Sequence, residues 1–201
     1  MNFNRHFKLE NAHAPFSAST PTWLNYDVDK AIAVFNNKKA AEMGTKMHAW
    51  AKQTIDLGIK QPKSKKTLYQ YVNDAIGFRM DTEVVLFYSQ YFFGTADAIS
   101  FIGNVLRIHD LKTGVGKVIM EQLMVYAALF CLEYNIAPNS IKEIELRIYQ
   151  NDQVLFHTPS YEEVDEVINK IKELDTMLQS LLRGGLEEDV NRDRFGKTNT
   201  R

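Results

Sequence analysis

The residues most able to do chemistry stand in two short runs, Gly94-Thr95-Ala96-Asp97 and Ile108-His109-Asp110-Leu111-Lys112. Residues 95–102 and 105–112 read as two strands separated by Gly103-Asn104. Gly-Asn is a good two-residue hairpin loop, because glycine supplies a positive φ without steric cost. Such a loop fixes the register. Ile102 faces Val105 and, counting outward with no bulge, Asp97 falls opposite Asp110 and Thr95 opposite Lys112. Residues directly opposite at a non-hydrogen-bonded position have Cα atoms roughly 4.5 Å apart and share a face. Two carboxylates so placed repel each other unless one takes up a proton or a cation sits between them. Lys112, two residues beyond Asp110, projects from the same face, whereas His109 and Leu111 project from the other. His109 therefore reads as structural and Leu111 as core. An acid-acid-lysine cluster is a poor core, but it suits a divalent cation and a phosphate.

Several elements must position this cluster. Residues 82–91 have high β propensity and read as the first strand of a meander that continues through the hairpin. A helix over 39–57 carries Met43, Met47, Trp50, Ala51 and Thr54 at helical spacing, with Gly44 and His48 one turn apart beside that face. His48 is either a boundary residue of that face or, given the carboxylates, a metal ligand. A short helix is expected over 67–76. After Lys112, Thr113-Gly114-Val115-Gly116 leads into a long apolar helix over 116–134. Its Gln122 and Tyr126 lie four residues apart on one face, either as a satisfied polar pair or as part of the site. The fragment Gly114-Val115-Gly116-Lys117 is not a P-loop: Leu111 stands where the first glycine belongs and Val118 where the metal-binding Ser/Thr belongs. Strands are expected over 141–150 and 154–158. A last helix follows Pro159-Ser160, with a long apolar stripe that Gly184-Gly185 ends. The expected organisation is one domain over residues 1–182 and a flexible tail over 183–201. The fold class expected is α/β, a central mixed β-sheet with flanking helices.

Composition sets the outer limits. The 201 residues are 45% apolar and 11% aromatic, enough for a substantial core, and carry a net charge of −1. That balance does not advertise nucleic-acid binding, so any such contact must come from local patches or a metal. The basic run Lys60-Gln61-Pro62-Lys63-Ser64-Lys65-Lys66 is one such patch, readable either as a solvated loop or as a phosphate-contacting segment. The single cysteine, Cys131, excludes an internal disulfide and a four-cysteine iron–sulfur cluster. The N-terminal run is polar and the longest apolar stretch, 118–132, is interrupted and too short to span a bilayer, so a cytoplasmic protein without membrane association is expected.

Five motifs in order resemble the PD-(D/E)XK nuclease superfamily in its RecB-like, phage-exonuclease branch. They are Gly44 with His48, Glu83 in the next strand, Gly94 with Asp97, Asp110 with Lys112, and Gln122 with Tyr126. The opening stretch 13–19 is also similar to the start of phage members. The likeness covers residues 13 to about 180 and implies a restriction-endonuclease-like core. It implies Mg²⁺- or Mn²⁺-dependent hydrolysis of DNA phosphodiester bonds, as an exonuclease in phage-type recombination, repair or processing, in the host cytoplasm if phage-encoded. Asp97, Asp110, Lys112 and Gln122 would be catalytic. His48, Asp97, Asp110 and the Leu111 carbonyl would hold the metal, with Glu83 serving a second metal or its water shell and Tyr126 supporting Gln122. Lys60, Lys63, Lys65 and Lys66 would be candidates for DNA contact. Relatives include ring-shaped oligomers that work with annealing proteins, so a homo-oligomer and a single-strand annealing partner are implied. Two competing classes remain at this point: a non-catalytic DNA-binding or assembly module that keeps the fold, and a metal-dependent phosphatase or nucleotidase using the same cluster.

Overall fold

The computed structural model describes residues 4–7 and 14–195, with side chains as far as Leu182. His13 and most of residues 1–12 lie outside the described residues. The chain falls into two units, Met1–Ala49 and Trp50–Arg201.

The first unit holds a short 3-10 helix, Pro21–Asn25, and most of helix α1, Val28–Asp56. Proline at the first position starts the short helix, and the Thr20 hydroxyl before it makes no capping bond. The Trp23 indole N–H instead ties it back to the Ser17 carbonyl at 2.8 Å. Asp27 caps α1 by accepting the Lys30 N–H at 2.8 Å. The helix begins earlier than its apolar pattern suggests, and Met43 and Met47 on that pattern are exposed.

The second unit is α/β. It contains the end of α1, helix α2 (Thr67–Gly77), and strands β1 (Asp81–Ser89), β2 (Phe92–Ile102) and β3 (Val105–Leu111). Helix α3 (Glu121–Glu133), strands β4 (Glu143–Gln150) and β5 (Gln153–His157), and helix α4 (Tyr161–Phe195) follow. The five strands form one mixed sheet in the order β1-β2-β3-β4-β5. All neighbours are antiparallel except β3 and β4, which are parallel because α3 carries the chain from one to the other. This five-stranded mixed sheet with flanking helices is compatible with a restriction-endonuclease-like core.

Strand alternation gives the sheet two apolar faces. Leu106, Ile108, Leu146 and Ile148 belong to a core built on α3, with Leu123, Ala127 and Val164. Leu111 and Tyr149, of the opposite parity, belong to a second core with Tyr71, Val72 and Ala75 of α2 and Ala51 and Ile55 of α1. Leu111 is thus buried, as its position in the strand predicts. The hairpin register also follows the sequence: Ile102 pairs with Val105 and the ladder runs to Ala98 against His109. Gly103 and Asn104 both have positive φ, 61° and 63°, which matches the right-handed twist of the flanking strands. The Asn104 side chain also donates to the Ser140 carbonyl at 2.7 Å, anchoring the turn to the start of β4.

Two helix boundaries differ from the sequence expectation. Helix α3 begins at Glu121 rather than 116, because Gly114 and Gly116 lie in a loop whose carbonyls are held from β4 by the Gln150 side-chain amide. Helix α4 is opened by reciprocal bonds between Ser160 and Glu163, at 2.8 and 3.3 Å. Gly184-Gly185, expected to stop it, lie inside it, and the helix continues to Phe195. Glycine disfavours a helix by only about 1 kcal/mol per residue, which good helix formers on both sides overcome. The tail expected from residue 183 therefore begins within a helix, and residues 196–201 lie outside the described residues. Among the described residues, no helix is long and apolar enough to cross a membrane.

Candidate metal centre

The sheet interrupts its own regularity where the acids meet. The β1–β2 ladder pairs Thr82 with Ala98 and Val84 with Ala96, passing over Glu83 at the level of Asp97. Glu83 has φ 53°, a left-handed conformation that costs a non-glycine residue on the order of 1–3 kcal/mol and persists where surroundings impose it. Ala96 and Ala98, two residues apart, belong to different cores, so β2 changes the face it presents at Asp97. The β2–β3 ladder stops at the same level. Asp97 turns its Oδ2 to the Leu111 backbone N–H at 2.9 Å instead of continuing as a plain pair with Asp110. The no-bulge condition of the sequence reading thus fails at Asp97, while its register up to Ala98 stands.

These irregularities bring the carboxylates of Glu83 and Asp97 together on adjacent strands. A donor oxygen of Glu83 and one of Asp97 lie within 4.8 Å of each other. The phenol of Tyr71, on α2, is held well above its ordinary pKa, first by burial and then by the charges of Asp97, Asp110 and Glu83. Asp110 is buried. Its Oδ1 accepts the Lys112 ammonium at 3.0 Å, while no hydrogen-bond donor among the described residues reaches its buried Oδ2. Buried polar atoms are nearly always satisfied, so this oxygen is a vacancy for a donor or a cation. Lys112 also donates to Gln122 Oε1 at 2.9 Å, and Gln122 Nε2 donates to the Tyr126 hydroxyl at 3.2 Å. Helix α3 therefore reaches the strand residue Asp110 through a chain of Tyr126, Gln122 and Lys112. Gly94 explains itself here: a Cβ at that position would lie 2.8 Å from the Tyr126 ring. The glycine admits the ring that supports Gln122.

His48 is half-buried on α1, within the first unit. Within the second unit, the two carboxylates of Glu83 and Asp97 are donors that could serve a metal ion. The four lysines Lys60, Lys63, Lys65 and Lys66 are exposed on the loop between α1 and α2. That loop is pinned by α2: Asn73 exchanges bonds with the Gln61 backbone at 2.7 and 3.0 Å, and Gln70 donates to the Lys65 carbonyl at 2.8 Å.

His109, next to Asp110 in sequence, is fully buried on the opposite face. Its Nδ1 lies 3.2 Å from the Tyr149 hydroxyl and its Nε2 lies 3.4 Å from Glu145. Tyr149 donates to Asp74 at 2.6 Å, and Arg147 pairs with Asp74 at 2.9 Å and with Glu145 at 3.0 Å. Arg107 approaches Glu145 at 3.6 Å, and both guanidiniums lie over the Phe78 ring. The histidine is structural, as its parity in the strand predicts. The sequence did not reveal this network, because its partners come from α2, β3 and β4, elements that only the fold brings together.

No curated protein and no solved structure matches the chain. A family model matches residues 78–194, more than half of the chain. The matched segment includes Glu83, Asp97, Asp110, Lys112, Gln122 and Tyr126, and leaves His48 and the basic loop outside. The chain belongs to that family, described as a protein of unknown function (DUF2800).

Proposed function

We propose that this chain is a Mg²⁺- or Mn²⁺-dependent deoxyribonuclease of the PD-(D/E)XK type, acting as an exonuclease in phage-type DNA recombination, repair or processing. The observation that carries the reading is the buried Asp110 carboxylate, one oxygen on Lys112 and the other without a donor among the described residues, on the strand next to that of Asp97. Three acids against one lysine leave a negative excess that a divalent cation would balance, and hard oxygen donors suit Mg²⁺ or Mn²⁺.

In this reading Asp97, Asp110 and His48 are the ligands, with the Leu111 carbonyl, and Glu83 serves a second ion or its water shell. The chemistry such an ion supplies when bound is charge stabilisation at the phosphate and a lower pKa for a coordinated water. Lys112 has three N–H donors and two are engaged, one by Asp110 and one by Gln122. The third is left for the attacking water or for the charge that builds on the phosphate. Gln122 fixes the direction of that ammonium, and Tyr126 fixes Gln122. Lys60, Lys63, Lys65 and Lys66 would contact the DNA backbone. The resemblance extends the proposal to a homo-oligomer and to a single-strand annealing partner in the host cytoplasm.

Digestion of end-labelled linear duplex DNA with Mg²⁺ or Mn²⁺ tests the reading, with circular duplex, single strands and free nucleotides alongside. Loss of linear but not circular DNA, abolished by Lys112→Ala, is the expected result. Digestion that survives Lys112→Ala overturns the assignment. DNA binding without digestion under either metal points to the non-catalytic module, and hydrolysis of free nucleotides alone points to a phosphatase.

A further inference from the structure

The loop between β3 and α3 departs from the sequence expectation in a way that builds a second cavity, with Val118 and Ile119 on its apolar wall and two lysines beside them. Residues expected to open a helix instead border a cavity of about 300 Å³, lined among others by Lys112, Gly114, Gly116, Lys117, Gln122 and Gln150. Gln150, the last residue of β4, shapes it. Its amide nitrogen donates to the Gly114 carbonyl at 2.5 Å and to the Gly116 carbonyl at 2.9 Å. Both donors of one amide are spent on the loop, so the loop is strapped to the sheet. Had α3 begun at residue 116, Gly116 and Lys117 would lie in its first turn. Because it begins at Glu121, Lys117 stays on the cavity wall.

The charge on that wall is of one sign. Lys112 and Lys117 both line the cavity, and no carboxylate does. Lys117 makes no side-chain hydrogen bond or ion pair among the described residues. The Lys112 ammonium retains one N–H beyond its bonds to Asp110 and Gln122. The backbone N–H groups of the first turn of α3 add to the positive potential at the rim, since Gln122 itself lines the cavity.

We propose that this cavity is a phosphate subsite, occupied by a phosphate of the substrate strand next to the one that is cleaved. Assigning the phosphate to a DNA strand rests on the nuclease reading; the affinity for phosphate does not. Lys117 is the residue that distinguishes this subsite from the reacting centre, and Gln150 positions it by holding the loop. The phosphate could be a terminal phosphomonoester or an internal phosphodiester, which present the same oxygens to the two lysines.

The test uses the full chain in two measurements. First, inorganic phosphate is titrated against the isotopically labelled protein at constant ionic strength. The Gln150 side-chain amide and the Lys117 side chain are followed by NMR. A saturable shift is expected, with Lys117→Gln weakening binding at least tenfold and Lys117→Arg retaining it. Second, DNA affinity is measured against salt with Ca²⁺ in place of the catalytic metal. Each neutralised phosphate contributes about 0.7–0.9 to the slope of log K on log salt, so Lys117→Gln should lower the slope by about that amount. If the deficit disappears on DNA whose termini have been dephosphorylated, the occupant is a terminal phosphate. If it persists there and on circular DNA, the occupant is internal. An unsaturable response to phosphate, or a slope unchanged by Lys117→Gln, overturns the subsite. A saturable phosphate response in a protein that binds no DNA keeps the anion site and removes the nuclease reading instead.

Discussion

His109 and Asp110 are neighbours on one strand, and the two sides of the sheet treat them in opposite ways. On the α2 side, His109 enters a network that closes on itself: Asp74 and Glu145 stand against Arg107 and Arg147, and Tyr149 bridges the histidine to Asp74. On the α3 side, Asp110 stands against Lys112, with Asp97 on the next strand and Glu83 on the one beyond it, and a buried Asp110 oxygen has no donor among the described residues. The first cluster is neutral as a whole, although the Nε atoms of Arg107 and Arg147 are buried without a hydrogen bond among the described residues. The second carries more negative than positive charge and a strained residue, Glu83, at its edge. A buried charge without compensation is expensive, so it persists where something outside the chain completes it. Each cluster has a buried member, His109 in one and Asp110 in the other, but Glu83 is exposed; the charge balance separates the structural cluster from the candidate centre.

The sharpest way to break the comparison is to remove groups from the open cluster. Lys112→Ala and Asp110→Ala should each lower single-turnover DNA cleavage by on the order of 10²–10³-fold or more, as expected for a group that stabilises transition-state charge. Circular dichroism should stay near wild type for both, and the thermal midpoint should fall more for Lys112→Ala, which leaves the buried Asp110 carboxylate without its cation. Unfolding by either variant would mean that the cluster is structural after all.

The closed cluster should respond the other way. Arg147→Leu strips the cation from Asp74 and Glu145 together, leaving a largely buried Glu145 against Arg107 alone. A destabilisation of about 2–3 kcal/mol is expected from urea unfolding, less than for a fully buried pair because Arg147 is partly exposed. Activity per folded molecule should change little. A variant of native stability would show that the network holds nothing together.

A smaller effect of opposite sign is expected from Asp110→Asn. It relieves carboxylate repulsion, so the metal-free protein should gain roughly 1 kcal/mol. Wild type should gain thermal stability on adding Mg²⁺ or Mn²⁺, by about 2.7 kcal/mol at a hundredfold excess over Kd. The variant should lose most of that gain. Calorimetric scans with and without metal read both quantities, and an equal metal response in the two proteins would place the ion elsewhere.

How much of this was legible in the sequence follows from what each feature depends on. The hairpin turn, its register and the opposite parities of Asp110 and His109 rest on local backbone chemistry, so residues 98–111 could be read almost directly. The link from Lys112 to Gln122 was readable only as two motifs in order, since their contact depends on how α3 packs on the sheet. The bulge-like break at Glu83 and Asp97 carried no glycine or proline to announce it. The late start of α3 was hidden for a different reason: Gln150, which holds Gly114 and Gly116, is 34 and 36 residues away. The same distance in sequence concealed the partners of His109. Gly184-Gly185 misled because glycine weakens a helix without forbidding it.

The least of the expected effects concerns the proton inside the closed cluster. Burial pushes the His109 pKa below its ordinary value of 6.5, against the opposing pull of Glu145, so the ring is neutral in the folded protein. A neutral ring has one N–H. Placed on Nε2 it serves Glu145, and Nδ1 then accepts from Tyr149, whose hydroxyl proton is shared between His109 and Asp74. Below pH 6.5 the unfolded chain takes up a proton that the folded ring refuses. The His109 contribution is therefore complete above 6.5 and declines as pH falls toward the lowered folded value. Glu145 acts in a lower window. Burial pushes its pKa up, but the His109 bond and Arg147 outweigh that and leave it below its ordinary 4.5, so its contribution is lost only below that pH. Urea unfolding of wild type and His109→Gln from pH 8 to pH 4 separates the two windows. The variant should lose the decline that begins below pH 6.5 and keep the one below 4.5. Stability that rises as pH falls below 6.5 would mean a charged histidine, and the cluster on the α2 side would then not be the balanced one.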